Sequence, residues 1–504
     1  MNKGAFFSLF AMAFLLAFGL RLGRLDLRPM HHDEANQAVK FGALLEHGEY
    51  RYDPADHHGP TLYYLTLPAA WARGQKSLAQ LDEWTVRIVP ALFGAALILL
   101  FAFLADGLGR EAVLLAALFA ALSPAMTYFS RFYIQEALFA FFSLGFALAL
   151  GHYVTRPGLG AAVIAGVCGG MAFATKETSI IIFAASGAAL ALSAPAKKSF
   201  KPGHILLGTA AGAAAAVVLL SSFFTNPAGI VDSIRAFKDY AVRATANGPH
   251  AHPWHYYFTL LGFSSSGGLI WSEGLILILG LGGVILVFAR AREFWPRYIA
   301  YYTLITAASL SVIPLKAPWD LLPFYAGMIL LAGFGAAALL RAPKSGWFRG
   351  AGALALLAGC WHLGLQDWKA NYRYPADPRN PYVYAQTTPD FLRLVDRIHS
   401  LAAVHENGRD MPVKVIAGPY EQWPLPWYLR DLRRVGYWTD VSSAGEFGGV
   451  AVVIASQENA AALDSALGDR FQAEFYGLRP GVLLTVYIER ALWLRFLGVS
   501  DKSD

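Results

Sequence analysis

The chain is 504 residues long, 56% hydrophobic and only 15% charged. Soluble globular chains carry about 25% charged residues, so that class is excluded. The 14% aromatic content excludes a disordered chain, which could not leave those rings in water. Net charge is +6, but the residues from Gln366 onward carry −2 and those before it +8. The excess belongs to the apolar part of the chain and does not read as a nucleic-acid surface.

The first apolar run, Ala5–Leu20, follows Lys3. It is succeeded by Arg21-Leu22-Gly23-Arg24 rather than an Ala-x-Ala cleavage site, so it reads as an uncleaved first helix. Further runs lie near Ile88–Ala105, Ala112–Tyr128, Ala137–Tyr153, Ala161–Thr175, Ser179–Ser193, Ile205–Phe224, Leu269–Ala289, Tyr298–Ile313, Leu321–Leu340 and Gly350–Leu365. Each approaches the ~20 residues of a bilayer crossing, which predicts about 11 transmembrane helices. Basic clusters fall on alternate connections: Lys197, Lys198 and Lys201; Arg290, Arg292 and Arg297; Arg341, Lys344 and Arg349. The positive-inside rule puts these, and the N-terminus, in the cytoplasm. The Ala/Gly-rich stretch Gly208–Val218 suits close helix packing in lipid. No clear internal repeat is visible, which counts against an inverted-repeat transporter.

The opposite, extracytoplasmic face then receives a first loop (residues 21–87), a second loop (225–268) and everything after Leu365. Residues 1–365 read as a polytopic membrane domain and 366–504 as an extracytoplasmic α/β domain. In the latter, Pro389–Ala403 has helical spacing with Thr388 as N-cap, and Val413–Ala417 and Val450–Ala455 suit buried parallel strands. Glu458–Leu467 reads as helix and Val482–Ile488 as strand. No GxGxxG or P-loop is present. Cys168 and Cys360 both lie in apolar runs, so neither a disulfide framework nor a cysteine metal site exists in the loops or the C-terminal domain.

The unusual polar residues gather on the extracytoplasmic side. The first loop contains Met30-His31-His32-Asp33-Glu34-Ala35 and His57-His58-Gly59-Pro60. Three readings apply: a solvated His-rich loop; a divalent metal site using His31, His32, Asp33 and His58, without any HExxH-type spacing; or a carboxylate base, Asp33, tuned by its surroundings. Arg131 and Glu136, in the segment Ser130–Glu136, sit at the mouth of two spans and serve as interfacial anchors or as a phosphate ligand with its acid partner. Lys176-Glu177 lies between two apolar runs with almost no loop, where charges are costly unless paired or functional. Lys316, before Pro318 and Trp319, either snorkels to the interface or faces a ligand. His250, His252 and His255 lie among aromatics of the second loop, and Trp423, Trp427 and Tyr428 either stack on sugar or pack the two domains together.

An Asp-Glu pair opening the first loop after one helix resembles the GT-C glycosyltransferases. More closely it is similar to the dolichyl-phosphate-mannose protein mannosyltransferase superfamily, which includes aminoarabinose-type transferases. His31-His32-Asp33-Glu34-Ala35, His58-Gly59-Pro60, Ser130-Arg131-Phe132-Tyr133, Lys176-Glu177-Thr178 and Lys316-Ala317-Pro318-Trp319 together look like its flippase-activity-associated, archaeal-glycosylation-type branch. The resemblance implies a polyprenyl-phosphate sugar donor and a glycan, lipid or protein acceptor. It makes Asp33 the general base, with Glu34 orienting the acceptor or sharing the proton. His31, His32, His57, His58, Arg131, Glu136, Lys176, Glu177, Lys316 and Trp319 are then the expected substrate-binding residues. The alternative is a lipid-linked sugar flippase or a non-catalytic accessory to one.

Overall fold

The computed structural model describes residues 1–54, 56–193, 200–244, 250–341 and 345–499. Lys197, Lys198 and Lys344, three of the predicted cytoplasmic cations, lie outside these. The membrane part is helical apart from a short hairpin, Ser264–Ser266 paired with Leu269–Trp271. Five helices are long and apolar enough to cross a bilayer: Lys3–Leu22, Glu83–Leu108, Glu136–Thr155, Pro202–Leu220 and Pro318–Arg341. The run Ala112–Tyr128 is not one straight helix. It breaks into Arg110–Leu122 and Pro124–Ser130, bent by 59°, and makes a sixth span if the pair is counted as one. Pro124 causes the break, because it has no N–H for the ladder, while Ser123 Oγ accepts the Met126 N–H at 3.2 Å and caps the new start. Leu159–Phe173, Ser179–Ser193 and Gly274–Arg290 are apolar helices of 15–17 residues, short of a full crossing. Phe294–Val312 and Gly346–Trp368 are the helices of the two remaining runs. Thus every expected run contains a helix, although Leu269–Trp271 of one run is a strand, and among the described residues five or six are both long and apolar enough for a span.

Ile278, Leu281, Trp361 and Val312 are exposed on these helices, a surface that only lipid can cover. The pair Leu159–Phe173 and Pro202–Leu220 shows how the bundle closes. A Cβ on Gly170 would stand 2.1 Å from the Gly212 carbonyl, and one on Gly166 would stand 1.8 Å from the Gly208 carbonyl. Only glycine permits that approach, since lipid supplies no hydrophobic drive to force looser helices together.

The first loop is largely helical (His32–His47 and Thr61–Ala72) and folds back over the bundle. The C-terminal domain carries a five-stranded sheet in the order Val435–Trp438, Val413–Ile416, Val452–Ser456, Val482–Glu489, Phe471–Arg479. The first three are parallel, as short buried apolar runs predict, and the last two join antiparallel. Phe391, Leu394 and Ile398 of the helix Pro389–Val404 pack on one face of the sheet. Leu463 and Leu467 of Gln457–Leu467 pack on the other. Thr388 stands at the N-cap position, but its hydroxyl donates to the Gly477 carbonyl and ties the helix to the sheet instead.

The two domains meet through directed bonds. Trp427 Nε1 donates to Glu83 Oε1 (2.9 Å), Met30 N donates to the Tyr428 hydroxyl (2.9 Å), and Gln386 and Thr387 donate to the carbonyls of Pro29 and Met30 (2.8 Å each). Trp427 is fully buried, so it and Tyr428 serve domain packing. Substituting Gly170→Leu should splay the two glycine-rich helices and lower the midpoint of thermal unfolding in detergent by several degrees. A scanning fluorimetry trace unchanged from wild type would contradict this packing account.

Candidate active site

A cavity of about 580 Å³ opens between the first loop, the bundle and the C-terminal domain. Its walls carry His31, His32, Asp33, His58, Lys176, Glu177, Lys316 and Trp319. These come from four separate segments of the chain. Asp320, Tyr384, Tyr420 and Arg479 complete the walls and escaped the sequence reading.

Asp33 lies in the first turn of the helix His32–His47 and is half-exposed to the cavity. Its position follows from a capping box. The Asp33 N–H donates to His31 Nδ1 (3.1 Å), and the His31 N–H donates to Glu34 Oε2 (2.9 Å). The helix N-terminus, with its partial positive charge, therefore points at the cavity and favours an anion there. His31 is buried and fixed at its other nitrogen, Nε2 lying 2.9 Å from the Tyr384 carbonyl.

Glu34 faces the other way. It is fully buried and receives Arg87 Nε at 2.7 Å, Arg87 Nη2 at 2.8 Å and the Tyr133 N–H at 2.9 Å. Arg28 stands 3.8 Å away. Burial would push its carboxyl up, but Arg87 and Arg28 overcome that and hold it at about 2. Every oxygen of Glu34 is taken, so it anchors the loop and does not face the cavity. Arg87 enters an apolar run two residues after Thr85. An arginine there is costly unless paired, and this was the sequence signal for its carboxylate partner.

At the cavity floor the Lys176 ammonium sits between Glu136 (2.8 Å) and Asp320 (2.7 Å). Burial disfavours its charge, and the two carboxylates more than restore it. Lys176 is thus neutralised twice over. Glu177 accepts from the Tyr52 hydroxyl (2.7 Å) and pairs with His58 Nδ1 (2.7 Å). Burial raises its carboxyl, but His58 and Tyr52 bring it down to about 2. Gly59 permits this meeting, because a Cβ there would lie 2.1 Å from the Ala174 carbonyl. Lys316 differs from Lys176. Its ammonium donates to the carbonyls of His252 (2.9 Å) and Ile313, and among the described residues it has no carboxylate partner. Burial alone lowers its pKa.

Besides Glu34, three predicted residues, His57, Arg131 and Glu136, lie outside the cavity walls. His57 is buried among Tyr50, Tyr52 and Tyr63, beside Asp56 at 3.4 Å. Arg131 donates to the carbonyls of Leu20, Gly23 and Arg24 and stacks on Tyr372, which clamps the end of the first helix. Glu136 lies beneath Lys176. The metal reading asked His31, His32, Asp33 and His58 to converge. Instead His31 is capped and bonded to Tyr384, His32 leans on the Tyr420 carbonyl and His58 turns to Glu177. Among the described residues no three His, Cys, Asp or Glu side chains form a cluster able to hold a metal ion.

A second cavity, about 610 Å³, runs as an apolar groove beside the helices Leu159–Phe173 and Pro202–Leu220. Phe173 of the groove lies 5.8 Å, ring to ring, from Phe237 of the polar cavity.

Residues 67–221 match the family model of dolichyl-phosphate-mannose-protein mannosyltransferase. The whole chain superposes on ArnT from Cupriavidus metallidurans bound to undecaprenyl phosphate, with a TM-score of 0.64, 16% identity, and coverage of 98% of this chain and 99% of that one. The chain has the GT-C fold. The Archaeoglobus fulgidus oligosaccharyltransferase in its apo form superposes with a TM-score of 0.60 at 12% identity, over 98% of this chain and 77% of that one. The archaeal oligosaccharyltransferase AglB in complex with an inhibitory peptide and a dolichol-phosphate gives 0.58 at 14% identity, with the same coverage. No curated protein matches by sequence. The GT-C fold accounts for the bundle, the folded first loop and the C-terminal sheet domain as one architecture.

The Glu34 pair makes a signed prediction. Its folded pKa, about 2, lies below the ordinary 4.5. The pairing therefore contributes stability above about pH 4.5 and loses it as pH falls toward 2. Glu34→Gln should cost about 3 kcal/mol or more at neutral pH, since it leaves Arg87 buried without its partner. Across pH 4.5 to 2 the variant's unfolding midpoint should fall less steeply than that of the wild type. Parallel curves would refute the assignment.

Proposed function

We propose that this chain is an integral membrane glycosyltransferase that moves a sugar from a polyprenyl-phosphate donor to an acceptor on the extracytoplasmic face. The observation that carries the reading is a cavity lined by both Asp33 and Lys316, beside an apolar groove, within the GT-C fold. ArnT, similar in fold, has been captured with undecaprenyl phosphate, and AglB with dolichol-phosphate. A polyprenyl chain fits the apolar groove, and its phosphate would then reach the polar cavity past Phe173 and Phe237.

Asp33 acts as general base. The acceptor O–H gives its proton to Asp33, the acceptor oxygen bonds to the sugar C1, and the C1–O bond to phosphate breaks with its electron pair going to the phosphate. The leaving phosphate gains negative charge as that bond breaks. Lys316 is suited to meet it because no carboxylate neutralises it. Lys176 keeps its two carboxylates and shapes the floor. His31 positions Asp33, and Glu34 positions His31. His58 and Glu177 line the donor side and Trp319 walls the cavity against lipid. His57, Arg131 and Glu136 act behind the cavity wall. By the positive-inside rule, the basic connections support a cavity that faces away from the cytoplasm.

Asp33→Asn keeps the shape and removes the base. In reconstituted vesicles supplied with polyprenyl-phosphate sugars, transfer should fall about 10²-fold or more by product mass spectrometry. Wild-type rates in the variant would sink the mechanism. Scrambling of labelled lipid-linked sugar that survives Asp33→Asn, without transfer, would favour a flippase.

A further inference from the structure

Three cations line the cavity, and their partners differ. Lys176 is consumed by Glu136 and Asp320. Lys316 belongs to the turn beside Ile313 and Leu315, which also line the cavity. Arg479 comes from the C-terminal domain, as the last residue of the strand Phe471–Arg479, just before the tight turn at Pro480 and Gly481. Its Nη2 donates to the Tyr420 carbonyl at 3.0 Å, and among the described residues no carboxylate lies within ion-pair distance. The rest of the fork is left to the cavity. A partly buried guanidinium that bonds no carboxylate directly can still take an anion, and its planar fork matches carboxylate and phosphate alike.

The surroundings say which substrate meets it. His32 Nδ1 lies 3.3 Å from the same Tyr420 carbonyl, and the His32 and Tyr420 rings stack at 6.0 Å. Trp423 meets His32 edge-on at 6.0 Å. Tyr420 is 72% exposed, a ring open to a flat partner. Burial weakens the Arg479 charge, and the carboxylates of Glu421 and, less strongly, Asp33 act on it from beyond ion-pair distance; Arg479, Tyr420, His32 and Asp33 all line the one cavity. The nucleophilic hydroxyl must also be there, because Asp33 takes its proton. Aromatic ledges with one charged donor suit a sugar ring bearing an acid group.

We propose that the C-terminal domain supplies the acceptor subsite through Arg479, and that the acceptor is a glycan carrying an acidic group close to its accepting hydroxyl. This rests on the glycosyltransferase reading. Arg479 is a positioning and specificity residue that binds the acceptor's anion, and Tyr420 takes the adjacent ring face. The anion is a carboxylate or a phosphate.

The test uses the full-length protein in vesicles with a polyprenyl-phosphate sugar. Three acceptors of equal length are compared: a uronic-acid oligosaccharide, a phosphorylated one and a neutral one. Wild type should prefer one or both acidic glycans about tenfold or more in kcat/KM, and which one wins names the anion. Arg479→Gln should erase the preference by raising the acceptor KM, with the donor KM moving less than about twofold. Arg479→Lys, which keeps the charge and loses the fork, should restore part of it. A wild type that glycosylates the neutral glycan or a peptide equally well overturns the proposal. So does an Arg479→Gln effect confined to the donor KM, or a variant that keeps the full preference. Absence of any transfer, and of any donor hydrolysis, by the wild type would instead overturn the glycosyltransferase reading itself.

Discussion

The buried pair of Glu34 and Arg87 is the constraint on which the cavity depends. Removing one partner of such a pair costs about 3–5 kcal/mol, far more than a surface ion pair contributes. Here the pair also does geometric duty. Arg87 holds the carbonyls of Leu25 and Arg28 as well as Glu34, so one guanidinium fixes the loop on both sides of the His31–Glu34 turn. Glu34 in turn holds the His31 backbone, and His31 holds Asp33. The half-exposed carboxylate is therefore the free end of a chain of satisfied groups. Its neighbour in sequence is the fixed end. Two adjacent acids take opposite roles because successive residues of a helix project about 100° apart.

The floor of the cavity follows a related logic with the charges reversed. A lysine near membrane depth is tolerated because Glu136 and Asp320 surround it, from segments far apart in sequence. The same arrangement removes it from use as an anion ligand. Glu177 is likewise satisfied by Tyr52 and His58. Among the described residues of the cavity lining, few cations remain without a bonded carboxylate: Lys316 from the membrane part and Arg479 from the C-terminal domain, both lining the cavity with Asp33. Electrostatic preorganisation needs such exceptions to be few, because every further unpaired charge costs desolvation energy.

Much of this was legible in the sequence. Apolar runs place most of the helices, and the loop motifs supply His31, His32, Asp33, His58, Lys176, Glu177, Lys316 and Trp319 of the cavity lining. The parallel strands Val413–Ile416 and Val452–Ser456 follow from short buried apolar runs. Other features had no local signal. Which of Asp33 and Glu34 faces the cavity depends on Arg87, more than fifty residues away. Arg131 and His57 looked like ligands because their residue types are ligand types, yet backbone carbonyls and an aromatic cage hold them. Asp320, Tyr420 and Arg479 each sit in unremarkable sequence and acquire meaning only from the walls they join.

The position of Arg479 shows why the two domains must be considered together. The contacts that dock the C-terminal domain are made to Pro29, Met30, Leu81 and Glu83, that is, to the loop and helix ends that also carry Asp33 and Arg87. The bonds that hold the domain down therefore also set the height of its hairpin over Asp33. A domain attached elsewhere on the bundle could fold as well, but its cation would not share a cavity with that carboxylate. The sheet needs its own two apolar layers for stability, and the bundle needs lipid. The directed polar seam between them also encloses the cavity that holds Asp33 and Arg479.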